Sequence, residues 1–304
     1  MGGSGKSAFV HGASCQGARS RRDSSFCNDS FTAASPRNWR IARRTVTQSG
    51  NPRYTRAMIE FQDLTRSYGD FTAVRPLQLN VQRGEVFGFL GPNGAGKTTT
   101  IRMMMGILVP SSGRAMIAGL DCHTQRAEVQ RHVGYLPDNP IYYDFLRGRE
   151  ILQFVAEMHG MGRREAAERA ARMLSEFGLE DVVNEFAVNY SMGMKKKLGL
   201  ACALIHDPEV LILDEPINGL DPRAARDVQE RLRLAAASGK TIFMSTHLLD
   251  MAERVCTRVG IIHRGELVAT GTLSELRERL APGGSLEEVF LKVTEEDLAP
   301  AATA

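Results

Sequence analysis

The sequence predicts an α/β fold: a mainly parallel sheet with helices packed on it, strands at its leading edge and a helical insertion in its middle. Three observations carry this. Short, fully apolar runs at 86–90, 210–213 and 259–262 read as buried strands and alternate with helix-length segments. The first of these runs ends in a Gly-rich loop, 91–99, that opens a helix. Between 136 and 205 the alternation gives way to helical patterns alone.

Taken in order, Met58–Leu64 alternates with Ile59, Phe61 and Leu64 apolar, and Phe71–Val81 reads likewise, so both are assigned to edge strands. Arg83-Gly84-Glu85 turns the chain into strand 86–90. Thr98–Leu108 is the helix behind the Gly-rich loop, and Pro110-Ser111-Ser112-Gly113 closes it before a short strand, Arg114–Ile117. Glu150–His159 sets Ile151, Phe154, Val155 and Met158 along one stripe, and Glu165–Phe177 sets Leu174 and Phe177 on one face. Both stripes are read as core packing. Met194–Ile205 is a further helix, stopped by Asp207-Pro208. Strand Val210–Leu213, helix Arg223–Ala237, strand Thr241–Met244, helix Leu248–Val255 and strand Val259–Ile262 follow. From Leu273 the pattern gives short amphipathic helices, with a frayed end at Ala299–Ala304. The organisation expected is an N-terminal extension, 1–57, a folded domain, 58–280, with its helical subdomain at about 136–205, and a helical tail, 281–304.

The chain has 304 residues, 43% hydrophobic and 24% charged, ample for a substantial core. No apolar run approaches the roughly 20 residues that cross a bilayer. The five cysteines, at 15, 27, 122, 202 and 256, show no ligand spacing and leave one over, which points to a reducing compartment and to neither a zinc site nor a disulfide framework. The net charge of +3 hides an asymmetry: residues 1–57 carry +8 and residues 58–304 carry −5. The folded part therefore offers no basic surface for nucleic acid. The extension is rich in Ser, Gly and Arg without hydrophobic periodicity, the composition of a disordered tail. An Arg-rich, acid-poor start is also that of a transit peptide, and ordered patterning begins at Met58, where translation itself can start. Gly2-Gly3-Ser4-Gly5-Lys6-Ser7 is half a phosphate loop without a strand before it and is read as coincidence.

Gly91-Pro92-Asn93-Gly94-Ala95-Gly96-Lys97-Thr98-Thr99 fits G-x-x-x-x-G-K-[ST] between a strand and a helix. In that setting glycines let the chain curl so that successive N–H groups face an anion, and the helix start adds its positive end. Lys97 then reaches the β- and γ-phosphates, and the Thr98 hydroxyl is placed for Mg²⁺. The second half of the site is Leu211-Ile212-Leu213-Asp214-Glu215-Pro216, an apolar strand ending in two acids at the edge where α/β sheets bind ligands. Asp214 suits a Mg²⁺ ion held through water, and Glu215, turned another way, suits a water that attacks phosphorus.

Seven landmarks in this order resemble the ATP-binding subunit of an ATP-binding-cassette (ABC) transporter, over Met58–Asp297. They are Ser67-Tyr68-Gly69, the loop 91–99, Gly134-Tyr135-Leu136-Pro137-Asp138, Tyr190-Ser191-Met192-Gly193-Met194, the acidic strand 211–216, Gly219-Leu220-Asp221-Pro222 and Ser245-Thr246-His247. The resemblance implies a P-loop NTPase core of the ABC type, with an edge antiparallel β subdomain and a helical signature subdomain. It implies ATP and Mg²⁺ as ligands, with Tyr68 stacking on adenine and His247 contacting the γ-phosphate and keeping the attacking water in line with Glu215. Ser191 and Gly193 correspond to a signature loop that usually reads Leu-Ser-Gly-Gly-Gln and that grips the ATP of a second ATP-binding subunit, in a homodimer or heterodimer. Asp221 then belongs to the contact joining the two sites. Asp138 stands where most of the family has glutamine; it still offers an oxygen to Mg²⁺ or water, with a charge and one methylene less. Lys195-Lys196-Lys197 is read as a solvated helix face, with a place near the phosphates or the partner subunit as the alternative.

The segments 135–150 and 284–291 are similar to those of ABC-2 type exporter subunits. The function implied is ATP hydrolysis coupled to export through a separate transmembrane permease, at the cytoplasmic face of the membrane, with no nucleic-acid partner. Two alternatives are weighed beside it. A soluble ABC-type ATPase with a non-transport role usually carries a long coiled-coil insertion or two cassettes, and neither is found here. A non-catalytic regulatory or scaffold subunit is opposed by the presence of Glu215 and His247.

Overall fold

The computed structural model describes residues 57–143, 145–281 and 284–295. The extension up to residue 56, Cys15 and Cys27, and the end at 299–304 lie outside the described residues. A hairpin comes first, β1 (Ile59–Tyr68) and β2 (Phe71–Val81), then β3 (Val86–Leu90), which runs through the Gly-rich loop into α1 (Lys97–Met104). After β4 (Ser112–Ile117), β5 (Leu120–Asp121) and α2 (Arg126–His132) comes β6 (Val133–Leu136). Three helices follow, α3 (Gly148–Met158), α4 (Arg163–Glu176) and α5 (Met192–Leu204), with 3-10 turns at Glu180–Val182 and Ala187–Asn189 between the last two. The chain then alternates through β7 (Val210–Asp214), α6 (Pro222–Ala237), β8 (Thr241–Thr246), α7 (Leu249–Val255) and β9 (Arg258–His263). It continues through β10 (Glu266–Thr272) to α8 (Leu273–Leu280) and α9 (Leu286–Glu295).

The strands form two sheets. One is antiparallel, in the order β2-β1-β4-β5; the other runs β10-β9-β3-β8-β7-β6, parallel except for β10. Period-two alternation assigns the parallel strands to two cores. Val86, Leu90, Leu211, Leu213, Ile242 and Met244 join the helical core, whereas Phe87, Phe89, Val210, Ile212 and Phe243 join the core beneath the antiparallel sheet. Phe61 of β1 reaches Phe243 edge-on, with centroids 6.1 Å apart, and Phe87 and Phe89 lie 5.7 and 5.4 Å from the same ring. Burying each such ring is worth about 1.5–3 kcal/mol, so these four side chains clamp the two sheets together. With both faces covered, strands β3 and β7 are buried at every position, and their runs in sequence are apolar up to Asp214 at the end of β7.

Four elements are absent from the sequence reading. β5 is two residues long, and α2 buries only Val129, so neither leaves a periodic trace. β6 is four residues, and its Gly134 lets α5 approach so closely that a Cβ there would lie 1.9 Å from the carbonyl oxygen of Ala203. β10 is a half-exposed edge strand with mixed polarity. The expected stripe of α3 is rotated: Ile151, Leu152 and Ala156 are buried, while Phe154 and Met158 are 48% and 72% exposed. The helix packs against both α4 and α5, so its inner arc centres on Leu152 and Ala156 and leaves Met158 outside.

Candidate functional site

Parallel register brings the C-terminal ends of β3, β7 and β8 side by side, with Leu90 paired to Thr246 and Asp214 to Ser245. The loop after β3 closes on itself, Ala95 N donating to Pro92 O at 3.2 Å, and is pinned by Gly265 N donating to Ala95 O at 3.0 Å. At its end Gly96 has φ +108° and opens α1; a Cβ there would sit 2.7 Å from the carbonyl oxygen of Ala73. Only glycine meets both demands. Lys97 is 6% exposed and folds across its own loop, donating to Gly91 O at 2.7 Å and to Pro92 O at 3.1 Å. Its Nζ also lies 3.4 Å from Glu215 Oε1, ion-pair range beyond hydrogen-bond geometry.

Asp214 and Glu215 are adjacent in sequence and serve different directions. Asp214, buried at the end of β7, accepts from the Ser245 hydroxyl at 2.5 Å. Burial pushes its carboxyl up, against the hydroxyls of Ser245 and Thr98, which hold it down; the charges of Glu215 and Asp138 add to the upward push. Glu215 has φ +48°, a left-handed conformation that costs a non-glycine residue on the order of 1–2 kcal/mol. The turn is held at both ends of the residue. Its N–H donates to Ser245 O (3.2 Å) and Oγ (3.1 Å), and its carbonyl accepts from Lys196 Nζ at 2.6 Å and from Asn218 N at 3.2 Å. The reversal swings the side chain away from Asp214 towards His247, whose Nδ1 lies 3.0 Å from Glu215 Oε2 and whose N–H donates to the same oxygen at 3.4 Å.

These groups meet in a cavity of about 670 Å³ lined by Tyr68, Asn93, Gly94, Gly96, Lys97, Thr98, Thr99, Asp138, Glu215 and His247, together with Phe71, Ala73 and Asn218. That is room for a nucleoside triphosphate. The Tyr68 ring is backed by the Arg66 guanidinium at 4.4 Å, and Arg66 is itself fixed by donating to Val109 O at 2.9 Å. A larger groove of about 770 Å³ runs along β1 and β2 beside Arg258, lined by mixed acidic and amide side chains and by no phosphate loop, so we place the chemistry in the smaller cavity.

Gly91, Pro92, Ala95 and Asp214 stand behind the cavity as its support and do not line it. Ser191 and Gly193 are elsewhere, at the start of α5. Ser191 is exposed and caps the helix by accepting from Met194 N at 3.2 Å, and a Cβ on Gly193 would lie 3.3 Å from that of Ala224 in α6. Asp221 likewise caps α6, accepting from the N–H groups of Ala224 and Arg223 at 3.0 and 2.9 Å, and these bonds hold its carboxyl below the usual range against desolvation. The reading of 195–197 as a solvated face needs correction, because Lys196 is 1% exposed and lies 3.3 Å from Asp138 Oδ1. The alternative given for that run, a place near the phosphates, fits Lys196. Phe71 and Ser245 went unassigned in the sequence, and of the two Ser245 had a signal, one residue from the Thr-His pair at the end of an apolar strand.

Among the described residues no helix is long and apolar enough to cross a membrane. A profile of the family described as ABC transporter matches residues 74–218. The probable multidrug ABC transporter ATP-binding protein YbhF of Escherichia coli is 37% identical over 251 residues, which cover 81% of this chain and 43% of that one, so the match spans less than half of that relative. The bacitracin transport ATP-binding protein BcrA of Bacillus licheniformis is 39% identical over 73% of this chain and 72% of its own length. Among solved structures, an ATP-binding subunit of an ABC transporter superposes with a TM-score of 0.72 at 34% identity, covering 78% of this chain and 99% of the other. A phosphate loop, an acid pair split by a left-handed turn and a histidine on the second acid thus occur in a chain alike in sequence and fold to these proteins, and the chain belongs to the ABC transporter ATP-binding family.

Proposed function

We propose that the chain hydrolyses ATP and, with a second ATP-binding subunit and a separate transmembrane permease, uses the energy to export a substrate. The observation that carries the hydrolytic reading is the convergence of Lys97, Glu215 and His247 on one cavity with the phosphate loop. ATP enters with its phosphates against the N–H groups of 93–99 and the start of α1, and its adenine against Tyr68, with Phe71 beside it. Lys97 exchanges its loop carbonyls for the β- and γ-phosphates. Glu215 accepts a proton from a water as that water's oxygen bonds to the γ-phosphorus and the bond from phosphorus to the bridging oxygen breaks, releasing ADP and phosphate. His247 holds the carboxylate in place. The rate gain lies mainly in positioned charges that need no reorganisation during the step.

The donors near the phosphates, the Thr98 hydroxyl and the Asp214 carboxylate with Asp138 further out, are hard oxygens of the kind that suits Mg²⁺ bound jointly by protein, phosphates and water. When bound, the ion supplies charge neutralisation to the phosphoryl oxygens. Asp138 acts through water in this scheme, its Oδ1 being shared with Lys196. Ser191 and Gly193, remote from this cavity, serve the ATP of a second subunit, and Asp221 lies in the contact between the two. Residues 58–280 form the ATP-binding domain, with about 136–205 as its helical subdomain and 281–304 as a tail. The export direction and a peripheral place at the cytoplasmic face of the membrane are supported by the drug- and bacitracin-transport names of the relatives and by the ABC-2 features of 135–150 and 284–291.

Phosphate release from Mg²⁺-ATP by the purified full chain tests the hydrolytic core of this reading, with Glu215→Gln as control. Turnover that needs Glu215 is expected, whereas equal phosphate release from both chains removes Glu215 as the base.

A further inference from the structure

Lys196 is not used by the hydrolytic scheme, yet it is among the most buried charged side chains described. Its ammonium lies 2.6 Å from the carbonyl oxygen of Glu215 and 3.3 Å from Asp138 Oδ1, and the side chain is 1% exposed. Burial pushes the ammonium's pKa down, and the carboxylates of Asp138, Glu215 and Asp214 offset that push. A desolvated cation persists only where such partners satisfy it. Their identity is informative. One is the backbone of a residue in a left-handed turn, the other an acid that lines the same cavity.

The helix bearing Lys196 starts at Ser191, five residues earlier. The segment after Asp138 is laid along that helix: Tyr142 Oη donates to Lys195 O at 2.8 Å, and a Cβ on Gly199 would lie 2.8 Å from the same hydroxyl and 3.7 Å from Pro140 Cβ. A displacement of α5 therefore pulls on both Asp138 and the Glu215 carbonyl, while the phosphate loop, bonded to Gly265 in the turn between β9 and β10 and packed on Ala73 of β2, is held by other elements.

We infer that Lys196 is a positioning residue: it fixes the Glu215 turn and ties it, through Asp138, to the helix that Ser191 opens, so that engagement of Ser191 sets the aim of the hydrolytic carboxylate. The inference rests on the hydrolytic reading of Glu215. It also explains the acid at 138, since an Asp–Lys pair is neutral as a unit and replaces one neutral amide without leaving net charge in the site.

The test is a double-mutant cycle on the full chain with Lys196→Gln, Asp138→Asn and the double variant, reading ATP affinity with a fluorescent analogue and kcat from phosphate release. Each single variant is expected to lose about tenfold or more in kcat while affinity changes by less than about threefold. Because each single leaves one charge unmatched and the double leaves none, the double variant should turn over at least about fivefold faster than the product of the single losses predicts. A merely structural lysine would move affinity and melting temperature together with kcat, and that outcome overturns the inference. So does wild-type turnover in Lys196→Gln, or strict multiplication of the two losses. Should Lys196→Gln fail to fold, Asp138→Asn and the double variant decide: a double variant more than about twofold slower than Asp138→Asn alone overturns the inference. A wild-type chain that binds ATP without turnover sinks the hydrolytic reading, and the inference with it; wild-type turnover with unaffected variants sinks the inference alone.

Discussion

Replacing Ser245 with alanine removes one oxygen that serves both acids of the site. The hydroxyl is fully buried, donates to Asp214 Oδ1 at 2.5 Å and accepts from Glu215 N at 3.1 Å. The first bond goes to a buried carboxylate, and losing such a partner costs about 1.5–3 kcal/mol. The second is partly covered, because Glu215 N also donates to the Ser245 carbonyl at 3.2 Å, which alanine keeps, so its loss adds about 0.5 kcal/mol. The expected destabilisation is about 2–3.5 kcal/mol, equivalent to a fall in melting temperature of roughly 4–14 °C for a domain of this size. The pH dependence carries a sign. Asp214 is already raised in the folded state, chiefly by burial, so its ionised form weakens the fold above the unfolded value of 3.8, and that cost is relieved as pH falls through the folded pKa. Alanine raises the folded pKa further, so relief begins at a higher pH than in the wild type. Urea unfolding near neutral pH and at about pH 5 should therefore show the smaller penalty at the lower pH. A variant within about 0.5 kcal/mol of wild type at neutral pH, or a penalty that grows on acidification, would refute the role given to this hydroxyl.

Lys97→Ala should abolish useful ATP binding in a fluorescent-nucleotide titration, since no other cation lines that end of the cavity among the described residues; unchanged affinity removes Lys97 from the site. Glu215→Gln keeps the size and the contact with His247, so ATP should still bind while turnover falls about 10²-fold or more and light scattering shows an ATP-dependent dimer; near-wild-type phosphate release would refute the base assignment. Gly94 and Gly96 both have positive φ, but only Gly96 has a backbone oxygen in the way of a Cβ. Gly94→Ala should thus lose about 1 kcal/mol in urea unfolding and Gly96→Ala distinctly more, and equal losses would show that the crowding at Ala73 is relieved without cost.

The parallel sheet was legible because both of its faces are covered. Strands such as 86–90 and 210–213 then have no polar positions to dilute the signal, and the strand-to-loop-to-helix order around 91–99 leaves few chain paths. Where one face meets solvent the signal thinned: β10 alternates only partly, and α2 hides a single valine among charged residues. The α3 stripe failed for another reason. Ile151, Phe154, Val155 and Met158 do share a face, but the position of α4 and α5, set by contacts distant in sequence, decides which arc turns inward. Periodicity reports that a helix has an apolar side; it does not report the angle at which the rest of the protein receives it.

The same limit applies to the site. Asp214 and Glu215 were recognisable as a pair of strand-end acids, and in an extended chain neighbouring side chains point to opposite faces. What separates their tasks is a left-handed residue at Glu215, a conformation its sequence does not favour and that its neighbours enforce. The enforcing groups are a serine on the adjacent strand, 30 residues on, and a lysine 19 residues back, on the helix that leads into β7. In a run of three lysines all have the same chemistry, yet Lys197 pairs with Asp227 at 2.7 Å on the surface while Lys196 turns inward. A helix advances about 100° per residue, so three consecutive lysines spread over about 200° of it, and here the middle one falls on the core side. The energetic demand of a buried ammonium then fixes what surrounds it: an acid at 138 and the carbonyl of 215. Read in that direction, the departure from glutamine at 138 and the lysine at 196 are one feature, because either charge alone in that place would destabilise the turn on which hydrolysis depends.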